Sequence, residues 1–146
     1  WGMESTTADT LRNGWLHTGD LGYMDEDGFV FIVDRAKDMV ISGGENIFSV
    51  EVEGAIYSHP AVQECAVIGI PDERWGEAVH AIVVLREGEH ASEAEIIEHC
   101  RERIAGYKVP RSLEFKAESL PVSGAGKVLK NELRAPFWES NGKQVN

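Results

Sequence analysis

A lysine behind a glycine-rich turn is the residue of this chain best suited to chemistry on phosphate or carboxylate oxygens. In Pro121-Val122-Ser123-Gly124-Ala125-Gly126-Lys127-Val128, two glycines free backbone donors and Lys127 supplies a point charge. The segment is not a Walker A loop, which needs four residues between its glycines and Ser or Thr after the lysine. Here a single residue separates Gly124 from Gly126, and Val128 follows Lys127. A dinucleotide fingerprint fails as well, because Leu129 stands where a further glycine is required. Taken alone, the loop reads as an exposed turn with an idle lysine.

Two other polar segments carry comparable chemistry. His17-Thr18-Gly19-Asp20 offers a carboxylate that can accept two hydrogen bonds from a diol such as a ribose, although an Asp after Gly more often closes a turn. Arg35, inside Asp34-Arg35-Ala36-Lys37-Asp38, can donate to ligand oxygens or pair with a neighbouring acid. The histidines His59, His80, His90 and His99 show no ligand spacing such as H-E-x-x-H, so they read as surface or core residues. Trp75 and Trp138 read as packing residues. Cys65 and Cys100 form neither a disulfide framework nor a C-x-x-C metal site, and a reducing, cytoplasmic setting is expected.

The elements that must position these residues are legible in outline. Residues 14–33 alternate and turn as a β-hairpin, with Asp25-Glu26-Asp27-Gly28 between two apolar runs. The charged segment 34–38 is a boundary, since it cannot enter a core without charge pairing. Ser42-Gly43-Gly44-Glu45-Asn46 is expected as a flexible loop leading into a helix that Ser49 caps and His59-Pro60 ends. Cys65–Ile70 and Ala78–Leu85, rich in β-branched residues, should pair antiparallel. Ser92 and Glu95 form a capping box for a second helix, which Gly106 ends. Leu113–Lys116 is a third strand and Lys130–Phe137 a short terminal helix. The fold class is therefore α+β: a small antiparallel sheet of about three strands flanked by helices, preceded by a hairpin that belongs to something else. A lone hairpin is not stable in water, which argues for a missing upstream partner.

Size and charge narrow the classes. The chain has 146 residues, 42% hydrophobic and 27% charged, and no apolar run near the ~18 residues that a membrane span needs. Fourteen Lys and Arg face 25 Asp and Glu, a net charge of −11, which disfavours a nucleic-acid backbone binder. The sign changes along the chain: residues 1–99 hold five basic and 20 acidic residues, residues 100–146 nine and five. Something small and anionic is expected to meet the last third. Trp1-Gly2-Met3-Glu4-Ser5 has neither a basic nor an apolar leader region, so it reads as a cut and not as a signal peptide.

In order, Trp15–Gly22, Asp34–Ile47, Pro71–Glu77, Tyr107-Lys108-Val109-Pro110 and Pro121–Lys127 resemble the C-terminal motifs of adenylate-forming enzymes, the acyl-CoA ligase branch best of all. The resemblance runs from about Gly14 to Arg134. It implies a two-step ligase: a carboxylate attacks ATP to give an acyl-adenylate and pyrophosphate, then a mobile C-terminal domain swings and coenzyme A thiol attacks the adenylate. By the same match, Asp20 holds the ribose hydroxyls, Arg35 contacts the nucleotide, and Lys127 is the catalytic residue that bridges carboxylate and phosphate oxygens. Lys37 sits at the hinge. Gly43, Gly44 and Glu45 line the coenzyme A tunnel, and Tyr107, Lys108 and Arg111 meet its nucleotide end. Magnesium, the phosphate loop and the acyl pocket are implied for an N-terminal domain that is the chain's own partner. The implied division is residues 1–36 as the end of that domain, 37–138 as the mobile domain, and 139–146 as a tail.

Asp34 stands where many relatives have Gly, Ser49 where many have Pro, and Val122 and Ser123 replace a basic residue and Thr. These departures bear on subfamily. The Asp-Arg-x-Lys-Asp and Gly-Gly-Glu-Asn patterns look most like ligases of medium- or long-chain fatty acids, with aryl-acid ligases close behind. A carrier-loading adenylation domain and a non-catalytic binding module of the same fold are the other readings, and the fragment alone is expected to be inactive.

Overall fold

The computed structural model describes residues 2–139, so the expected tail lies, Glu139 apart, outside the described residues. The chain divides into two compact units, Trp1–Lys37 and Asp38–Asn146. The first unit contains helix α1 (Glu4–Thr10), a 3-10 turn at Arg12–Gly14, and strands β1 (Asp20–Met24) and β2 (Val30–Arg35), paired antiparallel. Asp25 builds the connection, its Oδ1 accepting the N–H groups of Asp27 at 3.1 Å and Phe29 at 2.9 Å. A bulge between Leu21 and Gly22 brings the backbones close: a Cβ on Gly22 would lie 2.6 Å from the Phe31 carbonyl oxygen.

Strand pairing begins at Asp20 and not near Gly14, where the apolar alternation suggested it. Asn13 and Gly14 turn the chain at positive φ, and 15–17 are outside any strand. Asp34 is the single buried residue of this unit among the described residues, while Trp15, Leu16, Met24, Phe29, Val30 and Ile32 are all exposed. The described residues of this unit form no core of their own.

The second unit does. It comprises β3 (Val40–Ser42), β4 (Glu45–Ile47), α2 (Ser49–Tyr57), β5 (Val62–Asp72), β6 (Gly76–Leu85), α3 (Glu93–Arg101), β7 (Ser112–Lys116) and α4 (Lys130–Glu139). The sheet order is β4-β3-β6-β5, with β7 also paired to β6. The expected α+β class with a small flanked sheet is present, and its two predicted runs pair antiparallel from Val62↔Leu85 to Asp72↔Gly76. The sheet is larger than expected, with five strands, and β7 runs parallel to β6 because α3 carries the chain back across the sheet between them.

Successive residues of β5 and β6 point to opposite faces, and both faces are covered. Cys65, Val67, Val79, Ala81 and Val83 join Val52 and Ile56 of α2 and Ile96 and Cys100 of α3 in one core. Ala66, Ile68, Ile82 and Val84 join Leu120 and, from α4, Leu133 in the other. Each fully buried isoleucine, Ile68 or Ile82 for example, contributes roughly 2 kcal/mol.

Local signals have mixed fates. The Ser92–Glu95 capping box forms, but α3 stops at Arg101, ahead of Gly106. The loop expected at Ser42–Asn46 is the tip of a β3–β4 hairpin turning on Gly43 (φ 61°) and Gly44 (φ 86°). Ser49 does not cap α2: Phe48 holds that position without a side-chain bond, and the Ser49 hydroxyl instead accepts a hydrogen bond from Lys130 Nζ at 2.7 Å.

His80 of β6 points at α4 and is 5% exposed. Its Nδ1 lies 2.8 Å from Ser112 Oγ, its ring 4.9 Å from that of Phe137, and Nε2 has no hydrogen-bond partner among the described residues. Burial pushes its pKa below the ordinary histidine value, with Glu114 and Glu93 opposing more weakly. The unfolded chain then binds the extra proton more readily. The contribution to stability is complete above the ordinary value near pH 6.5 and is lost as pH falls through the interval below it. His99 is displaced in the same direction, so His80→Gln is expected to flatten part, not all, of the fall in denaturation midpoint between pH 7 and pH 5. An unchanged slope in that variant would show that His80 takes no part.

Candidate functional site

Hairpin register assembles the first group. Asp20 and Arg35 are direct partners across β1 and β2, at the open end of the hairpin, with Arg35 Nε 3.5 Å from Asp20 Oδ1. Gly19, at φ 79°, turns the chain into β1, and its carbonyl accepts the Ala36 N–H at 2.9 Å. The Thr18 hydroxyl accepts the Asp20 N–H at 3.2 Å, and Asp34 Oδ1 accepts the Arg35 N–H at 2.8 Å. Both charged side chains reach solvent, where such a pair is worth little. A carboxylate with a guanidinium beside it can therefore exchange this contact for a ligand's hydroxyls at small cost. Lys37, the expected hinge, is the last residue of this unit and is exposed.

Lys127 lies in the second unit on a closed loop. The Leu129 N–H donates to the Pro121 carbonyl at 2.8 Å and the Ser123 N–H to the Lys127 carbonyl at 2.7 Å, around a bridge between Val122 and Val128. The Gly126 N–H donates to the Ser123 carbonyl at 2.8 Å, and Gly126 takes φ 76°, which lets the turn close. The Lys127 N–H donates to Ser123 Oγ at 3.3 Å. The loop is thus a braced hairpin, and its lysine projects outward, with no side-chain partner among the described residues.

A second group forms around Trp75. The Gly43 N–H donates to the Trp75 carbonyl at 2.8 Å, and a Cβ on Gly43 would lie 2.6 Å from Trp75 Cε3. The Arg74 and Arg111 guanidinium groups lie 4.6 and 4.9 Å from the Trp75 ring centre. So Gly43, on the hairpin tip with Gly44 and Glu45, meets Arg111 through one indole. Glu77 pins the same hairpin, its Oε2 accepting the Ile41 N–H at 2.9 Å. Tyr107 is half exposed, and the Lys108 ammonium, 5.6 Å from its ring centre, donates to both oxygens of Glu51 at 2.6 and 2.7 Å. That hydrogen bond to Glu51 raises the Lys108 pKa, so the cation's charge is already met from the first turn of α2.

Nucleophilic cysteine chemistry has no place here. Both thiols are buried; burial pushes Cys100 up to about 11 and Cys65 higher still. Among the described residues, no cluster of three or more His, Cys, Asp or Glu side chains fits a metal ion.

A profile described as AMP-binding enzyme C-terminal domain matches residues 51–127, just over half of the chain. The chain belongs to that family. Feruloyl-CoA synthase of an Amycolatopsis species is 51% identical over 137 residues, which are 94% of this chain and 28% of that protein. The long-chain-fatty-acid–CoA ligase FadD13 of Mycobacterium tuberculosis is 47% identical, over 94% of this chain and 27% of its own length. ATP-bound MatB of Rhodopseudomonas palustris superposes with a TM-score of 0.85 at 40% identity, across 94% of this chain and 27% of that one. The chain therefore spans little more than a quarter of the relatives it matches.

Within this AMP-binding enzyme C-terminal domain the match opens in α2 and closes on Lys127, so the Asp20–Arg35 hairpin and the Gly43–Gly44 turn lie outside it. Trp75, expected to pack, does so: its ring lies against Gly43 and carries the Arg74 and Arg111 guanidinium groups. Sequence reasoning passed over Glu53, Glu64 and Lys130, acids and a cation whose partners are distant in sequence.

Proposed function

We propose that this chain is the C-terminal part of an ATP-dependent acid–thiol ligase that converts a carboxylic acid to its adenylate and then to a coenzyme A thioester. The observation that carries the reading is the Lys127 loop: an outward lysine on a braced, glycine-closed turn, in a domain of the AMP-binding family. Negative charge shifts between carboxylate and phosphate oxygens during adenylation, and a preorganised ammonium stabilises that shift. Asp20 accepts the ribose hydroxyls and Arg35, its register partner, contacts the nucleotide. The domain carrying Gly43, Gly44 and Glu45 rotates about Lys37 for the second step, and the hairpin backbone then guides the thiol arm. Tyr107, Lys108 and Arg111 meet the nucleotide end of coenzyme A.

In this reading residues 1–36 end a large N-terminal domain, which holds magnesium and the acid, and 37–138 form the mobile domain. The coreless first unit, with its exposed Trp15, Leu16 and Phe29, supports such a neighbour. The acid proposed first is a medium- or long-chain fatty acid. The 51% identity to a feruloyl-CoA synthase favours an aromatic acid as the second reading.

The test is a panel of fatty and aromatic acids given to the full-length protein, with pyrophosphate exchange and acyl-CoA formation measured for each. Activity with long-chain acids above aromatic ones is expected. A preference for aromatic acids selects the second reading, and no activity with any acid rejects the ligase. The 146-residue chain alone is expected to form no acyl-CoA.

A further inference from the structure

Lys130 follows Lys127 by three residues and is the first residue of α4. Its side chain is 12% exposed and that of its partner Glu53 15%, with Nζ 2.7 Å from Glu53 Oε1. It also donates to Ser49 Oγ at 2.7 Å. Glu53 Oε1 accepts the Val67 N–H at 2.8 Å as well, so this carboxylate is fastened to the middle of β5. At the other foot of the loop Glu64, also on β5, accepts the Ser119 hydroxyl and the Leu120 N–H, each at 2.9 Å. The Lys127 loop therefore stands on two polar anchors of one strand.

Ser49 adds a second connection. It opens α2 directly behind β4, the outgoing strand of the Gly43–Gly44 hairpin. A single, largely buried ammonium thus holds the root of the loop read as serving adenylation and the root of the hairpin read as serving thioester formation.

We propose that Lys130 is a positioning residue for adenylation: through Glu53 and Ser49 it fixes the reach of Lys127 and couples the Lys127 loop to the Gly43–Gly44 hairpin. The inference rests on the reading of Lys127 as the adenylation lysine. Lys130 does not touch the reacting atoms. Its effect is geometric, and a displacement of about 1 Å at a reacting group can cost about 100-fold in rate.

The test uses the full-length protein in five forms: wild type, Lys127→Ala, Lys130→Met, Lys130→Arg and the double variant Lys127→Ala/Lys130→Met. Lys130→Met is expected to lower kcat for pyrophosphate exchange by roughly tenfold or more with the KM for ATP little changed, and Lys130→Arg to recover most of that loss. In the Lys127→Ala background Lys130→Met should cost nothing further, because a residue acting only through Lys127 has nothing left to position. Amide exchange across 121–129 should quicken in Lys130→Met, a readout that needs no ligase activity. An equal fold-loss in both backgrounds, or unaltered loop exchange, overturns the proposal. Should Lys130→Met fail to fold, Glu53→Gln neutralises the partner carboxylate with its shape kept, and the same outcomes decide. If the wild type shows no exchange with any acid, the ligase reading falls, and the bracing by Lys130 still stands or falls on the amide data.

Discussion

Lys127→Ala in the full-length protein is expected to reduce pyrophosphate exchange by about 100- to 1,000-fold, the usual cost of losing one preorganised donor to developing charge. Thioester formation from supplied acyl-adenylate should survive. The separation follows from how the loop is built: its hydrogen bonds run through the backbone and the Ser123 hydroxyl, none through the Lys127 side chain. Removing an exposed ammonium therefore leaves the hairpin standing, and the change in stability should stay within about 0.5 kcal/mol. Measuring both half-reactions and the thermal midpoint on one preparation decides the matter. Equal loss in the two half-reactions, or a fall of several degrees in the midpoint, would falsify the assignment of Lys127 to adenylation.

Gly43→Ala should do the reverse, weakening thioester formation more than adenylation. Two costs combine at this position. Its φ of 61° suits glycine, and a side chain there costs about 1 kcal/mol. The added Cβ would also lie 2.6 Å from Trp75 Cε3, on a ring flanked by Arg74 and Arg111, and such overpacking costs roughly 1–3 kcal/mol. Gly44 is the built-in control: at φ 86° an alanine there would carry backbone strain with open space around its Cβ. The expected order in denaturation midpoint is wild type, then Gly44→Ala, then Gly43→Ala, with a thioester rate at least about tenfold down in the last. If the two alanine variants are equally stable, contact with Trp75 is not what shapes the hairpin.

Legibility in the sequence followed the physics of each element. β5 and β6 announce themselves because both faces of the sheet are covered, so nearly every side chain is apolar. The α3 cap is legible because its two partners are three residues apart. The β3–β4 hairpin is not, since three residues on each side of Gly43-Gly44 are too few to show alternation. Helix α1 buries nothing and therefore leaves no apolar stripe to find. Ser49 carries the signature of a cap, yet a cation eighty-one residues away engages its hydroxyl. Asp20 and Arg35 were each readable as candidates; that they face each other depends on a register shifted by the Leu21/Gly22 bulge, which no motif reveals. Lys127 stood out as a candidate only beside the other motifs, and the feet of its loop rest on Glu53 of α2 and Glu64 of β5, which no local pattern announces.

The two buried cysteines make the chain unusually convenient for optical labelling. Thiol reagents attack the thiolate, and both sulfurs here are enclosed and held protonated at neutral pH. A cysteine introduced at Ala125, on the tip of the Lys127 loop, would thus take up a maleimide dye ahead of either native thiol in this chain. With an acceptor dye on the upstream domain proposed above, the proposed rotation would be read as a change in distance, molecule by molecule, without first stripping Cys65 and Cys100 from the core they help to fill.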